Sequence, residues 1–250
     1  MAEAGPGKIY LFNDFCGPEI PVANAVAYGA TAGGCAYFLG DFAVRGDLVE
    51  TDSGCIALGE VSGVIRLNGN NENGKGVALT TDLNFSPALN GPIVVEARVK
   101  NEAALTARSV FLGLTDAIAD DIAEPVTSTG TAHTLVASDL VGFVQDSQLT
   151  ASADWHAVFN GGTTTGQTVS TSTVTAVTAV AAEYDVLRLE IDTNGTARFW
   201  VNGDLESTVT NAVSTTVVQG VVLGIWGTTT TAALLDVDYL MVSANRDWTR

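Results

Sequence analysis

Basic residues are scarce in this chain. Eleven lysines and arginines stand against 28 aspartates and glutamates in 250 residues, a formal net charge of −17. Nucleic acids bind proteins that cluster cations against their phosphates, so the composition argues against direct DNA or RNA binding. The surplus acid suits plain solubility or docking on a basic partner. Histidine is scarcer still. His133 and His156 are the only two, in different surroundings and without HxH or HExxH spacing, too little to mark a zinc site or a Ser-His-Asp triad. His133, in a Thr-rich turn, reads as a surface residue, and His156, beside Trp155, as part of a strand. Cys16, Cys35 and Cys55 are odd in number and form no CxxC. They read as small buried thiols rather than a disulfide framework or zinc site.

Long apolar runs are missing too. No stretch reaches the roughly 18 uninterrupted apolar residues of a membrane span. The first eight residues, MAEAGPGK, lack a basic region followed by an apolar one. No signal peptide is expected, and the chain is expected to be made and used without Sec export. Neither a βαβ rhythm nor a repeat of fixed period is visible, and no linker marks a second domain. A single domain over 1–250 is expected, with 1–20 and 243–250 as tails that could bind a partner.

What the chain does have is strand signal. Lys8 to Phe15, Gly54 to Leu67, Val77 to Thr81 and Asp154 to Phe159 have extended character. Pro92 to Lys100 alternates, with Ile93, Val95, Ala97 and Val99 on one face and Glu96, Arg98 and Lys100 on the other. Ser109 to Thr115 and Asp139 to Gln145 are short apolar runs suited to central strands buried on both faces. Gln167 to Val180 is rich in Thr and Val and reads as one strand plus an exposed connection. Gln219 to Trp226 and Ala233 to Val242 read as a closing pair, with Leu235, Val237, Tyr239 and Met241 on one face. Asp116 to Pro125 is the one candidate for a helical turn. About a dozen short strands separated by turns predict an all-β fold, an antiparallel two-sheet sandwich.

The clearest stretch is Tyr184 to Asp192, YDVLRLEID, which alternates at period two, turns at Thr193-Asn194-Gly195 and returns as TARFWV. A two-residue turn would mix the faces. A three-residue loop with Gly195 left-handed sets Ile191 opposite Ala197, Leu189 opposite Phe199 and Leu187 opposite Val201. Glu190 then faces Arg198, and Arg188 faces Trp200. A second turn at Asn202-Gly203-Asp204 extends this into a meander.

Candidates for chemistry follow from that pattern. Glu190 with Asp192, or Asp236 with Asp238, could supply the paired carboxylates of a glycosidase. The same spacing is also the solvent face of an alternating strand. The acids and amides at Asn68 to Asn73 and at Asp116, Asp120 and Asp121 could hold calcium, but none has EF-hand spacing. Trp200 either stacks on a sugar or partner from an open face or belongs to the core beneath a second layer. Trp248, near the C-terminus, could anchor the tail to this chain or a neighbour. Trp200 and Trp248 are therefore the candidate partner or glycan contacts, and no catalytic, cofactor-binding or metal residue is assigned.

The LRLEIDTNGTARFWVNG stretch resembles the concanavalin A-like (laminin G-like) jelly-roll superfamily, as does the final DVDYLMV strand. Phe12-Asn13-Asp14-Phe15, VVEARV at 94–99 and FLGLTD at 111–116 are similar to tailed-bacteriophage structural proteins carrying this domain. The resemblance implies a jelly roll acting as a non-enzymatic virion protein, a capsid decoration or cement protein assembled in host cytoplasm. The implied partners are the major capsid protein and further copies of the chain. The superfamily also holds lectins, making a carbohydrate-binding module the competing reading and an enzyme the third. Family-sixteen glycosidases carry Glu-x-Asp-x-x-Glu. Glu190-Ile191-Asp192 matches the first half, but the second glutamate is missing.

Overall fold

The computed structural model describes residues 7–16, 26–27, 37–46, 55–60, 62–69, 73–101, 105–170, 177–231 and 233–246. In chain order the strands begin with β1 (Lys8–Asn13), β2 (Val26–Ala27), β3 (Tyr37–Leu39) and β4 (Phe42–Gly46). Next come β5 (Cys55–Glu60), β6 (Val64–Asn68) and β7 (Gly76–Thr80). One helical turn, α1 (Pro87–Asn90), precedes β8 (Ile93–Asn101) and β9 (Arg108–Thr115). A small hairpin, β10 (Val126–Thr129) and β11 (Ala132–Leu135), leads to β12 (Leu140–Asp146), β13 (Asp154–Asn160) and β14 (Val177–Thr178). The closing strands are β15 (Tyr184–Ile191), β16 (Ala197–Val201), β17 (Asp204–Val209), β18 (Gly220–Gly227) and β19 (Leu234–Asn245).

Two large antiparallel sheets result. The first runs β17-β16-β15-β8-β19-β6-β5-β2, with β1 also paired to β19, and the second runs β14-β13-β12-β9-β18-β7-β4-β3. The hairpin β10–β11 belongs to neither. Inner faces meet in one core. Val95, Ala97 and Val99 of β8 and Leu187, Leu189 and Ile191 of β15 pack toward Leu112, Leu114, Val141 and Phe143 of the second sheet. Phe143 meets Phe199 edge to face across the gap, ring centres 5.4 Å apart.

The meander has the expected register. Ile191 pairs with Ala197, Leu189 with Phe199 and Leu187 with Val201, while Arg188 faces Trp200 and Glu190 faces Arg198. Gly195 adopts φ +76°, and a Cβ there would lie 2.4 Å from the Val213 carbonyl oxygen. Glycine is thus required both by the turn and by what packs on it. β9 and β12 are buried along their whole length, as expected of central strands.

Other expectations change. β18 and β19 are not a pair: β18 lies between β9 and β7, whereas β19 lies between β8 and β6 in the opposite sheet. Alternation reveals that a segment is a strand but not which strand it pairs with. A bulge between Val237 and Tyr239 shifts β19 by one residue. Leu235 and Val237 are buried, as are Leu240 and Val242, leaving Tyr239 and Met241 on the outer face. Gly54 to Leu67 is two strands, reversed at Ser62-Gly63, where both residues have positive φ. The helical turn is Pro87–Asn90, behind Ser86. Asp116 to Pro125 instead runs without helix over the second sheet, where Ile118 and Ile122 find apolar partners.

A polar clasp joins the sheets at one end. Asp185 of β15 accepts hydrogen bonds from the Trp155 indole at 3.0 Å, Asn202 at 2.9 Å and Asn101 at 3.3 Å. Asn101 in turn accepts from Arg108, whose guanidinium also donates to Gln145 and to the Leu234 carbonyl. Trp155, Arg108 and Gln145 belong to the second sheet, Asn101 and Asp185 to the first. Asp185→Ala strips three donors of their acceptor, two of them buried, and is expected to cost about 3 kcal/mol. Urea unfolding with an unchanged m value checks it, and a loss under about 1 kcal/mol would show that the clasp contributes little.

Candidate functional site

Outward-pointing residues of the first sheet form an organised face. The register lines up Trp200, Arg188, Glu96, Met241 and Phe12 in one row across β16, β15, β8, β19 and β1. A neighbouring row holds Arg198, Glu190, Val94, Ser243 and Tyr10. Adjacent strands lie about 4.8 Å apart, so Trp200 and Phe12 sit roughly 19 Å from each other. Aromatic groups occupy both ends, since Tyr10 stacks on Phe12 and Phe12 meets Tyr239 at 5.9 Å.

Between the aromatics lies a charged centre organised by Arg188. Its Nε and Nη2 donate to Glu190 Oε1 at 2.8 and 2.6 Å, and its Nη1 donates to Glu96 Oε2 at 3.2 Å. Burial opposes the arginine's charge, but the hydrogen bonds to Glu190 and Glu96 outweigh it and raise its pKa. The other Glu96 oxygen accepts from the Tyr239 hydroxyl at 2.7 Å. Burial, then that bond to a carboxylate, pushes the phenol above its ordinary value. Arg198 turns to Asp192 at 2.8 Å rather than to Glu190, the residue it faces in the register. One step further, the Arg98 guanidinium lies 3.8 Å from the centre of the Tyr184 ring.

Trp200 points to this outer face and is half-buried, so it is not part of the core. Together with Glu96, Val186, Arg188, Glu190 and Gly203 it lines a groove of about 350 Å³. Its indole N–H is shielded and has no hydrogen-bond partner among the described residues. Trp248 lies outside the described residues.

Carboxylates that could suggest catalysis or a cation are otherwise engaged. Asp236 is fully buried in a two-bond pair with Arg66, and Asp238 pairs with Arg98. Asp116 caps the Asp139 amide, Asp120 meets Arg45 and Asp121 meets Lys75. Among the described residues, no group of three or more His, Cys, Asp or Glu converges to hold a metal ion. Cys16 is exposed, not buried, because it follows β1 at the sandwich rim; Cys35 and the Cys55 side chain lie outside the described residues.

Sequence reading missed a second cluster. His133 is buried, not on the surface, and its ring lies edge-on to His156 at 5.7 Å. Ser128 Oγ and His133 Nδ1 are 3.1 Å apart, and His156 Nε2 donates to the Ala151 carbonyl at 3.2 Å. The cluster forms because β10–β11 folds back over the second sheet, bringing residues 23 positions apart together. The sole sequence hint was a charged Glu124 placed between Ile122 and Val126.

No family model matches the chain, and no curated protein matches it. Solved structures do. A protein of unknown function from Shewanella oneidensis MR-1 aligns over 100% of this chain and 91% of its own, with 12% identity and TM-score 0.57. Peanut lectin aligns over 95% and 97% with 9% identity and TM-score 0.55. LamA of Zobellia galactanivorans, in complex with laminaritriose and laminaritetraose, aligns over 78% and 82% with 12% identity and TM-score 0.52. The fold is a concanavalin A-like jelly roll. At such identities the likeness concerns the backbone and carries no ligand across.

Because the Arg188 cluster is part of a surface, removing it should cost little. Arg188→Ala is expected to lower stability by about 1 kcal/mol or less. Phe199→Ala, on the same hairpin but pointing inward, should lose about 3–5 kcal/mol. Parallel urea titrations compare them, and equal losses would contradict the assignment of the two faces.

Proposed function

We propose that this chain is a non-enzymatic virion protein, a decoration or cement sandwich that binds the major capsid protein on the outside of a phage head. The observation that carries the reading is the disposition of charge. Arg45, Arg66, Lys75, Arg98, Arg188 and Arg198 are each turned onto a carboxylate of the same chain. Much of the remaining acid, including Asp41, Glu183, Asp204 and Glu206, faces solvent and suits a basic shell. Catalysis is disfavoured by the same pairing: Glu96 and Glu190 share one arginine, and no glutamate follows Asp192 at the family-sixteen spacing. Mass action supplies the mechanism, since binding across neighbouring capsomers stabilises the assembled state over the dissociated one.

A second reading has its own support. The groove beside Trp200 offers an aromatic ring and charged hydrogen-bonding groups, the kit of a sugar subsite. In this reading the chain is a lectin-like module, which could equally sit on a virion.

Quantitative mass spectrometry of purified particles tests the first reading. The chain should accompany intact heads in a fixed copy number related to the capsid lattice, and should leave as salt rises. Its absence from particles would overturn the proposal. A glycan array addresses the second: saturable binding lost in Trp200→Ala would establish it, and no binding to any glycan would remove it.

A further inference from the structure

The second sheet is covered on its outer side, which a plain sandwich would leave to water. Residues 116–137 run across it. Ile122, Val126, Leu135 and Ala137 pack on Phe111, Val144, Val158 and Trp226, and the Trp226 indole donates to the Ile122 carbonyl at 3.0 Å. Beneath this apolar strap sits the polar cluster. Ser128 and His133 come from the hairpin, Glu124 from its approach, Ser109 from β9, Asp146 from β12 and His156 from β13.

The cluster holds polar atoms that the strap shuts away from water. Glu124 Oε1, Asp146 Oδ2 and His133 Nε2 are all buried without a hydrogen-bond partner among the described residues. Such atoms are tolerated far better uncharged than charged. We propose that residues 116–137 form a proton-linked strap, which lies down on the second sheet with Glu124 protonated and His133 neutral, and lifts as Glu124 ionises.

The electrostatics give the direction. Burial, reinforced by the Asp146 carboxyl and only partly offset by Ser109, raises Glu124 from an ordinary 4.5 to about 8. Burial, then the facing His156 ring, lowers His133 from 6.5 to about 4. Asp146 is likewise raised, chiefly by burial. On the strap's outer side Asp120 and Asp121 stay paired with Arg45 and Lys75. When the strap lifts, Glu124 and His133 return to ordinary values. A raised carboxyl favours the closed state below its ordinary value, and that advantage disappears as pH climbs from 4.5 through 8. A lowered histidine acts oppositely, weakening closure as pH falls from 6.5 toward 4. Between 4.5 and 6.5 the two largely cancel, because closing moves one proton's worth of charge from His133 to Glu124. Above 6.5 His133 drops out, and Glu124, with the raised Asp146 acting in the same sense, loosens the strap on the alkaline side.

Hydrogen exchange on the full chain, corrected for intrinsic base catalysis, tests this. The opening equilibrium of amides in 126–135 should rise about tenfold from about pH 6 to about pH 8.5, while amides in 184–201 stay unchanged. Glu124→Gln should flatten the rise. A flat wild-type profile, a parallel rise in both regions, or an undiminished rise in Glu124→Gln would overturn the proposal. Should that variant fail to fold, carboxyl-carbon NMR of the wild-type chain decides: a Glu124 midpoint near its ordinary value sinks the idea, and one near 8 supports it.

Discussion

Two sheets greased by the same aliphatic side chains could slide over each other; what fixes their relation is the Asp185 clasp. Apolar contact is non-directional, so Val95 or Leu189 would be nearly as content one position along. A carboxylate receiving an indole from one sheet and amides from the other has no such freedom. Arg108 extends the constraint, joining β9, β12 and β8 and reaching the start of β19 through the Leu234 carbonyl. The positions of the outer-face rows depend on this alignment. Trp200, Arg188 and Glu96 stand in line because β15 is held against β8 from behind.

The outer face shows how a row of charged side chains can be committed to one another across three strands. Arg188 draws Glu96 and Glu190 to one cation, and Tyr239 occupies the second oxygen of Glu96. The result is one cation held between two carboxylates and flanked by aromatic rings.

How much of this could be read from the chain alone varied with the range of the interaction involved. The β15–β16 register was legible because alternation and a left-handed Gly195 are local and admit one consistent pairing. β9 and β12 were legible as doubly buried strands because continuous apolar runs have few other uses. The partners of β18 and β19 were not, since the chain crosses from one sheet to the other between them and period alone carries no address. One extra residue after Val237 turned Tyr239 and Met241 outward, a shift that no hydrophobic count registers. Ser86-Pro87 did carry a usable helix-start signal that the Asp116 segment lacked. Of the candidate site, Trp200 on the face opposite Leu189 and Phe199 followed from the register, but that this face is open did not, and the Arg188 clamp required β8 beside β15. His133 was the plainest miss: its burial depends on its own hairpin folding down onto the distant strand β13, not on its Thr-rich neighbours.

β1 and β19 are joined antiparallel from Lys8↔Asn245 onward, and the Arg246 amide closes the pair on the Gly7 carbonyl. Mechanically this is a zipper with both pulls at the same end. Tension between residues 7 and 246 meets the hydrogen bonds one after another, so it peels β1 away at modest force. Load spread over a sheet face must instead strain both sheets and their clasp together. A sandwich closed in this way resists pressing better than stretching, and any tether that must bear force is better placed on its faces than at its ends.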